Sequence, residues 1–593
     1  MAAAFVIGID LGTTNTVVAY ARIDDTDVPQ IQQLAIPQLT APGTVESLPS
    51  LPSFIYLPPS HESGNAFDLP WQTGMEFAAG QMARNQSAEM PERSVGAAKS
   101  WLAHSRVDRH APILPWNAPE EVDKISPVEA SRRYLEHVIA AWNEAFPDTP
   151  LIDQQVVLTV PASFDASARE LTREAALSAG LPANFVLLEE PQAAVYAWLD
   201  REGDRWREEL RPGDQLLVCD VGGGTTDLSL IGVVDQGGEL SLQRVAVGNH
   251  LLVGGDNMDL AVAHLAATQF GEKGVSLDAW QSVSLWHACR AAKESLLAEN
   301  GPETHPVTVL GRGSKLIGGT VNIDLERQAV VDLLVNGFFP QCDLADHPSR
   351  QRQSGFVQLG LPFESDTAIT RHIAQFLTDH GVDGTPAIPS RVLFNGGVFR
   401  ADYLRERMLK VLSHWNADPV QTLNQSSDLD SAVARGAAYY GWAKCNGGIR
   451  IRGGTARSYY VGVETSGLAI PGAPRPLRAV CVVPFGMEEG SQTDVPSAEV
   501  GLVLGESVHF RFFSSSTRKQ DQPGDTLDRW NDDELQETDS LEAELPPDDK
   551  LDDDYVPVRF QSRVTELGMF ELWCVSTQTD QRWKLEFSVR EER

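Results

Sequence analysis

Two stretches of the 593-residue chain set an aspartate beside a glycine turn that carries threonines, between apolar runs: "VIGIDLGTTNTVVAY" (6–20) and "LLVCDVGGGTTDLSLIG" (216–232). Glycine lets backbone N–H groups approach an anion closely, and successive N–H groups in a turn form a nest for it; threonine hydroxyls add donors. Asp10 and Asp220 would repel a phosphate beside such turns unless a cation lay between them. Magnesium meets that need, because it keeps most of its waters and takes few protein oxygens. The two aspartates are therefore read as anchors, through water, of Mg²⁺ on a nucleotide's phosphates. No GxxxxGK[ST] occurs, and each glycine turn leads to a strand rather than a helix. That excludes a P-loop and argues against a Rossmann dinucleotide site. Either hairpin alone reads equally well as an ordinary turn. Two matching ones imply a duplicated fold closing on a shared cleft.

The elements that must hold these turns alternate in type. Strand-like runs at 5–9, 17–21, 155–160, 216–219, 228–233 and 392–394 are interleaved with helix-like segments at 127–144, 166–179, 192–200, 258–270, 279–298, 401–415 and 431–445. This alternation predicts an α/β fold. Ser126, Pro127 and Glu129 carry helix-start signals: a cap, a proline at the first helical position and an acid three residues after the cap. Gly447-Gly448 and Gly453-Gly454 bracket "IRIR", read as a linker over 446–456 between an α/β part (1–445) and a second part (457–593). The second part has short strand-like runs at 459–464, 478–483, 499–504, 508–513, 556–563, 569–576 and 582–589, which predict a small β-sandwich. Residues 521–554 are dominated by Asp and Glu and read as a solvated loop rather than a metal site.

Lys+Arg 48 against Asp+Glu 82 gives a formal charge of −34. So acidic a surface repels nucleic-acid phosphates and anionic lipid, which disfavours either as a partner. The six cysteines are scattered without CxxC spacing and are read as buried free thiols of a reducing compartment. The first residues lack a basic leader and no apolar run is long enough to span a bilayer; a cytoplasmic protein is expected.

"IGIDLGTTNT", "LTVPASF", "EEPQAAVYAWLD", "CDVGGGTTDLSL", "GGDNMD" and "NGGVFR" occur in the order found in the seventy-kilodalton heat-shock chaperones of the DnaK type, within the actin-like ATPase superfamily with its ribonuclease-H-like fold. The resemblance covers about three quarters of the chain and implies a two-lobed, duplicated nucleotide-binding domain followed by a β-sandwich that resembles the family's peptide-binding domain only faintly. It implies ATP/ADP and Mg²⁺ as ligands, with K⁺ as a further candidate. By motif, Asp10, Gly12, Thr13, Thr14 and Asn15 would form the first phosphate hairpin. Asp220, Gly222, Gly223, Gly224, Thr225 and Asp227 would form the second, with Gly254 and Gly255 close by. Lys99, in "VGAAKSWL", falls where the family's lysine meets the γ-phosphate and attacking water; taken alone it reads as a solvent-facing lysine. Glu190 falls where the family's glutamate orients or deprotonates that water, and matches better than its neighbour Glu189; its bland reading is a helix-start carboxylate. Gly396 and Gly397 would lie against the nucleoside and Arg400 against one face of adenine. Lys293 would meet the ribose, and Asp430 would be a further nucleoside-side acid, or simply a helix cap. Pro161 and Arg169 match the family's relay between nucleotide site and peptide domain, and read equally well as a strand-end proline and a surface arginine.

The sequence also departs from the family. Glu294 stands where an arginine covers the other adenine face, and Arg290 where the family has an acid, so adenine should be held less tightly. The leucine-rich, aspartate-flanked linker is missing, the basic residue used for J-domain docking falls near Asn184-Phe185, and 341–366 looks like an insertion. The sequence ends at Arg593 directly after a strand, so no helical lid is expected. The reading is a slowly hydrolysing ATPase chaperone acting on unfolded or specific client polypeptides, with a nucleotide-exchange factor as a candidate partner and a J-domain partner in doubt. Its rival is a nucleotide-switched scaffold or assembly protein of the actin-like superfamily. Sugar kinases of that fold are disfavoured by the positions of Lys99 and Glu190.

Overall fold

The computed structural model is mixed α/β with several sheets. It describes residues 3–587 except 26–27, 60–64, 105, 117, 237–238, 310–320, 350–360, 362, 382–383, 425–428, 430, 448–450, 452–453, 456, 465–475, 489, 497–498, 504–506, 532–533, 539–540, 545–554 and 566–569. Asp430, most of the expected linker and the end of the acidic stretch lie outside the described residues.

The first glycine turn joins β1 (Phe5–Leu11) to β2 (Asn15–Arg22), antiparallel with Asp10 opposite Val17. β3 (Gln155–Val160) lies parallel on the other side of β1, and β4 (Val186–Glu189) parallel beyond it. Gln32–Gln33 extends the sheet antiparallel to β2. The second glycine turn joins β5 (Gln215–Val221) to β6 (Thr226–Gln236), with β7 (Glu239–Val247) antiparallel beyond β6. β8 (Arg391–Asn395) lies parallel to β5, and Gln421–Thr422 parallel beyond that. The two sheets therefore share one plan. Each has a glycine hairpin, a third strand antiparallel to its second arm, and two parallel strands beside its first arm.

Helices cover both faces, which is why the strands read as nearly continuous apolar runs rather than as an alternation. In order these include α1 (Gln81–Glu89), α2 (Ala98–Leu102), α3 (Pro127–Ala145), α4 (Ala166–Ala179) and α5 (Glu190–Glu202). Then come α6 (Gly255–Glu272), α7 (Ala279–Leu297), α8 (Asp402–His414) and α9 (Ala432–Asn446). The Ser126 hydroxyl caps α3 by accepting from the Glu129 N–H at 3.0 Å. Ile7 and Ile9 of β1 pack with Leu135, Val138 and Trp142 of α3, whereas Val6, facing the other way, packs with Trp442 and Ala443 of α9. α9 also crosses α5 so closely that a Cβ on Gly436 would stand 1.7 Å from the Ala193 carbonyl oxygen.

Later in the chain, β9 (Ser458–Glu464) is flanked by β10 (Leu477–Val483) and β11 (Phe512–Ser515) in one antiparallel sheet. β12 (Tyr555–Val564), β13 (Phe570–Ser576) and β14 (Arg582–Phe587) run antiparallel in a second. Both feed one apolar cluster, Val461, Val480, Val482 and Phe512 from the first meeting Val558, Phe560, Leu572 and Cys574 from the second. Ala166 of α4 belongs to the same cluster, and the Lys519 ammonium donates to the Val245 carbonyl of β7 at 2.8 Å.

Three expectations need correction. The run 508–513 is not one strand: Ser507–Phe510 pairs with Leu541–Glu544 in the second sheet, while Phe512–Ser515 pairs with β9 in the first. The helix expected at 258 starts at Gly255, because the N–H groups of Gly255 and Asp256 donate to the Gly222 and Gly223 carbonyls at 3.0 and 2.7 Å. Five cysteines are buried free thiols, but Cys445, near the end of α9, is exposed.

Candidate functional site

The tips of the two glycine hairpins meet. In each, the first glycine N–H donates to a carbonyl three residues on, Gly12 to Asn15 at 3.1 Å and Gly222 to Thr225 at 2.9 Å. A Cβ on Gly223 would lie 2.2 Å from the Thr14 hydroxyl, so the second turn admits the first only because it has no side chain there. Between them opens a cavity of about 640 Å³. Asp10, Gly12, Thr13, Thr14 and Asn15 line it from one hairpin and Asp220, Gly222, Gly223, Thr225 and Asp227 from the other. Lys99, Pro161 and Glu190 also line it, as do Gly255, Lys293, Glu294, Gly396, Gly397 and Arg400. Gly224, Gly254 and Arg169 are not among the lining residues.

Each side chain is placed by its element. Lys99 follows a left-handed Ala97 at the start of α2 and is buried; its ammonium makes an ion pair with Glu190 at the first position of α5. The strand-to-helix junction sends adjacent glutamates opposite ways. Glu190 enters the cavity, while Glu189 is buried against Arg169, at 2.8 Å, and Arg244. Gly396, at φ 85°, turns the chain out of β8 where a Cβ would strike the Val221 carbonyl at 2.2 Å. Such a left-handed turn against backbone is open only to glycine.

Lys99 faces several acids. Burial pushes Asp10 up from the ordinary carboxylate range, with Lys99 and a 3.2 Å hydrogen bond from Thr159 opposing. Burial, then the charges of Glu190 and Asp227, push Asp220 well up, although Asn395 donates to it at 2.6 Å. Burial likewise lifts Glu190 to about 7 against the pull of Lys99. For Lys99 itself burial works downward, but Glu190 and Asp10 outweigh it and hold the ammonium above its usual range. Asp227 goes the other way: burial opposes its charge, but His250 and Ser163 overcome it. Such crowding of buried carboxylates marks a place where a cation lowers the energy. Among the described residues no three or more His, Cys, Asp or Glu side chains gather as a direct metal cage. Two separated carboxylates, Asp10 and Asp220, fit a hydrated divalent ion held through its waters.

The sequence reading missed several participants. Asn395, one residue before the Gly396-Gly397 pair, fixes Asp220. Arg290 is spent on Asp256 and, at 2.7 Å, Asp259; Lys293 pairs with Asp259 at 2.6 Å. Both acids stand in "GGDNMD", so the motif carried a signal for them. Arg84 of α1 also lines the cavity, and nothing in the sequence ties it to the site. The Ser163 hydroxyl bonds Asp227 and lies 2.8 Å from His250 Nδ1, joining residues far apart in sequence.

Residues 71–338, a little under half of the chain, match the family model described as Hsp70 protein. The chain is 32% identical over 303 residues to a "Chaperone protein HscA homolog" of Bordetella pertussis, a match spanning 49% of this chain and 41% of that protein. Over those residues the chain is thus similar to the seventy-kilodalton heat-shock family, and the match spans less than half of that relative's length. Among the described residues no helix is long and apolar enough to cross a membrane.

Proposed function

We propose that the protein binds ATP with Mg²⁺ in the cavity between the glycine hairpins and hydrolyses it slowly, as a chaperone-type ATPase. The observation that carries this reading is the buried Lys99–Glu190 pair facing both hairpins in one cavity. Backbone N–H groups and threonine hydroxyls of the hairpins would hold the phosphates, and Mg²⁺ held through water by Asp10 and Asp220 would neutralise their charge. Lys99 would balance charge developing on the transferring phosphoryl group, and Glu190 would take the proton of the attacking water. Phosphoryl transfer of this kind depends on positioning and charge stabilisation, with no covalent enzyme intermediate. Glu190 suits its role because a base lifted toward neutrality is basic enough to accept a proton yet still ionised in part.

On this reading residues 1–445 form a two-lobed actin-like domain and 457–593 a β-sandwich that engages client polypeptides. Arg169 supports a link between the two. It bonds Glu189 beside the catalytic Glu190, and its charge reaches Tyr459 of β9, beside Ala166 of its own helix. The similarity to the Hsp70 family over residues 71–338 supports chaperone-type ATPase chemistry; the client is left open. The test is ATP turnover with and without an unfolded polypeptide, alongside sedimentation with ATP. Turnover stimulated by the polypeptide, with no polymer formed, is expected. No turnover together with ATP-dependent polymers would replace the reading with a nucleotide-switched scaffold.

A further inference from the structure

We propose that Arg84 is a base-binding residue of this site, covering from α1 the face of the nucleobase opposite Arg400. This inference rests on the nucleotide reading above. The wall formed by α7 has no guanidinium to offer the base. Arg290 is bound to Asp256 and Asp259, Lys293 pairs with Asp259 and donates to the Gly255 carbonyl at 3.2 Å, and position 294 is a glutamate. Across the cavity, α1 presents Arg84, whose Nη2 lies 3.7 Å from the Glu294 carboxylate. Arg84, Glu294 and Arg400 line the same cavity as Gly396 and Gly397. Arg84 and Glu294 are also close enough to Arg400 for their charges to bear on its ionisation.

The arrangement follows from charge and shape. A guanidinium is planar, always charged and weakly hydrated, so it stacks on an aromatic face without giving up its ion pair. Glu294 serves as the anchor that holds Arg84 over the cavity, and its negative charge offsets the repulsion between Arg84 and Arg400. Arg84 is well placed to move onto a ligand, since its side chain keeps 29% of its exposure and that of Glu294 keeps 58%. A base stacked between Arg84 and Arg400 would be gripped from both walls of the cavity. Stacking of this kind is tolerant of base identity, so the ligand class is a nucleoside di- or triphosphate, with adenine and guanine held alike.

The test is calorimetry on the full chain with Mg²⁺ and three probes: ATP, GTP and inorganic triphosphate. Arg84→Ala is expected to weaken ATP and GTP about fivefold each, the scale of one partly exposed cation–π contact, with triphosphate affinity unchanged. Arg84→Ala/Glu294→Arg, which returns a guanidinium to the opposite wall, is expected to recover the ATP affinity. Unchanged ATP binding in Arg84→Ala would overturn the proposal. So would an equal loss for triphosphate, because Arg84 would then be acting on phosphate, and so would a double variant no better than the single one. Triphosphate binding also reports that each variant is folded. If the wild-type chain binds none of the three probes, the nucleotide reading fails and this proposal with it.

Discussion

At the level of single residues, the sharpest contrast is between Glu189 and Glu190. Both are buried carboxylates next to each other in the chain, yet two arginines hold Glu189 ionised below the usual range while burial lifts Glu190 to about 7. Alternation at the end of β4 sends one into an ion-pair cluster and the other into the cavity. The type and position of Glu190 were legible in "EEPQAA"; its burial and its pairing with Lys99 were not, since the two are 91 residues apart. Lys99→Ala would remove the positive charge proposed to balance the transferring phosphate and leave Glu190 without a counter-ion, raising its affinity for a proton further. We expect kcat to fall about a hundredfold or more, the scale of losing one transition-state donor. ATP affinity by calorimetry should change little; wild-type turnover in this variant would reject the role. A base titrating near 7 also dictates a pH limb. Below about 7 Glu190 is protonated and cannot accept a proton, so kcat/KM, which reports the free enzyme, should fall about tenfold per pH unit on the acid side. A profile flat from pH 5 to 8 would exclude Glu190 as the base.

Among the elements, the α5–α9 crossing decides how the two glycine-hairpin sheets are joined. α9 lies on β1 and against α5, and α5 begins with the glutamate of the site. Gly436→Ala would drive a methyl group into the Ala193 carbonyl, 1.7 Å from an ideal Cβ. Backbone cannot yield there as a side-chain tip could, so the expected cost is about 3 kcal/mol, the upper part of the usual overpacking range. Denaturant unfolding should show this as a lowered midpoint with an unchanged slope. The helices and hairpin strands were readable because 3.6-residue periodicity, a Ser126 cap and apolar runs are local signals. β7 escaped because "ELSLQRVAV" alternates only over its first four residues before Gln243-Arg244 and an apolar triplet, and the sheet change at Arg511 escaped as well. There, one apolar run serves two sheets, and only the identity of the pairing partners separates them. Arg84 was illegible for a related reason: α1 owes its place beside the cavity to packing between distant elements.

For the whole molecule, net charge and buried histidines set the response to acid. His137 is fully enclosed and donates from Nε2 to the Pro37 carbonyl at 2.9 Å; burial lowers its pKa to about 4. Its unfolded counterpart takes a proton near 6.5. Between those values the unfolded chain binds a proton that the folded chain refuses, so stability falls as pH drops from about 6.5 toward about 4. His137→Gln keeps a donor for Pro37 and removes the titration. Its unfolding free energy should therefore decline less steeply than wild type over that window. Equal slopes in denaturant titrations at pH 6.5 and 4.5 would show that His137 does not contribute.

The docking of α9 on β1 also bears on how the chain leaves the ribosome. Val6, Val17 and Ala19 of the first hairpin are covered by residues of α9, among them Ala434, Ala438 and Trp442. At about 5–20 residues per second, that cover is synthesised on the order of 20 to 80 s after the hairpin it protects. Through most of its own translation, the chain carries a sheet face that later residues must close, and the nascent hairpin is itself a surface that other chains could pair with.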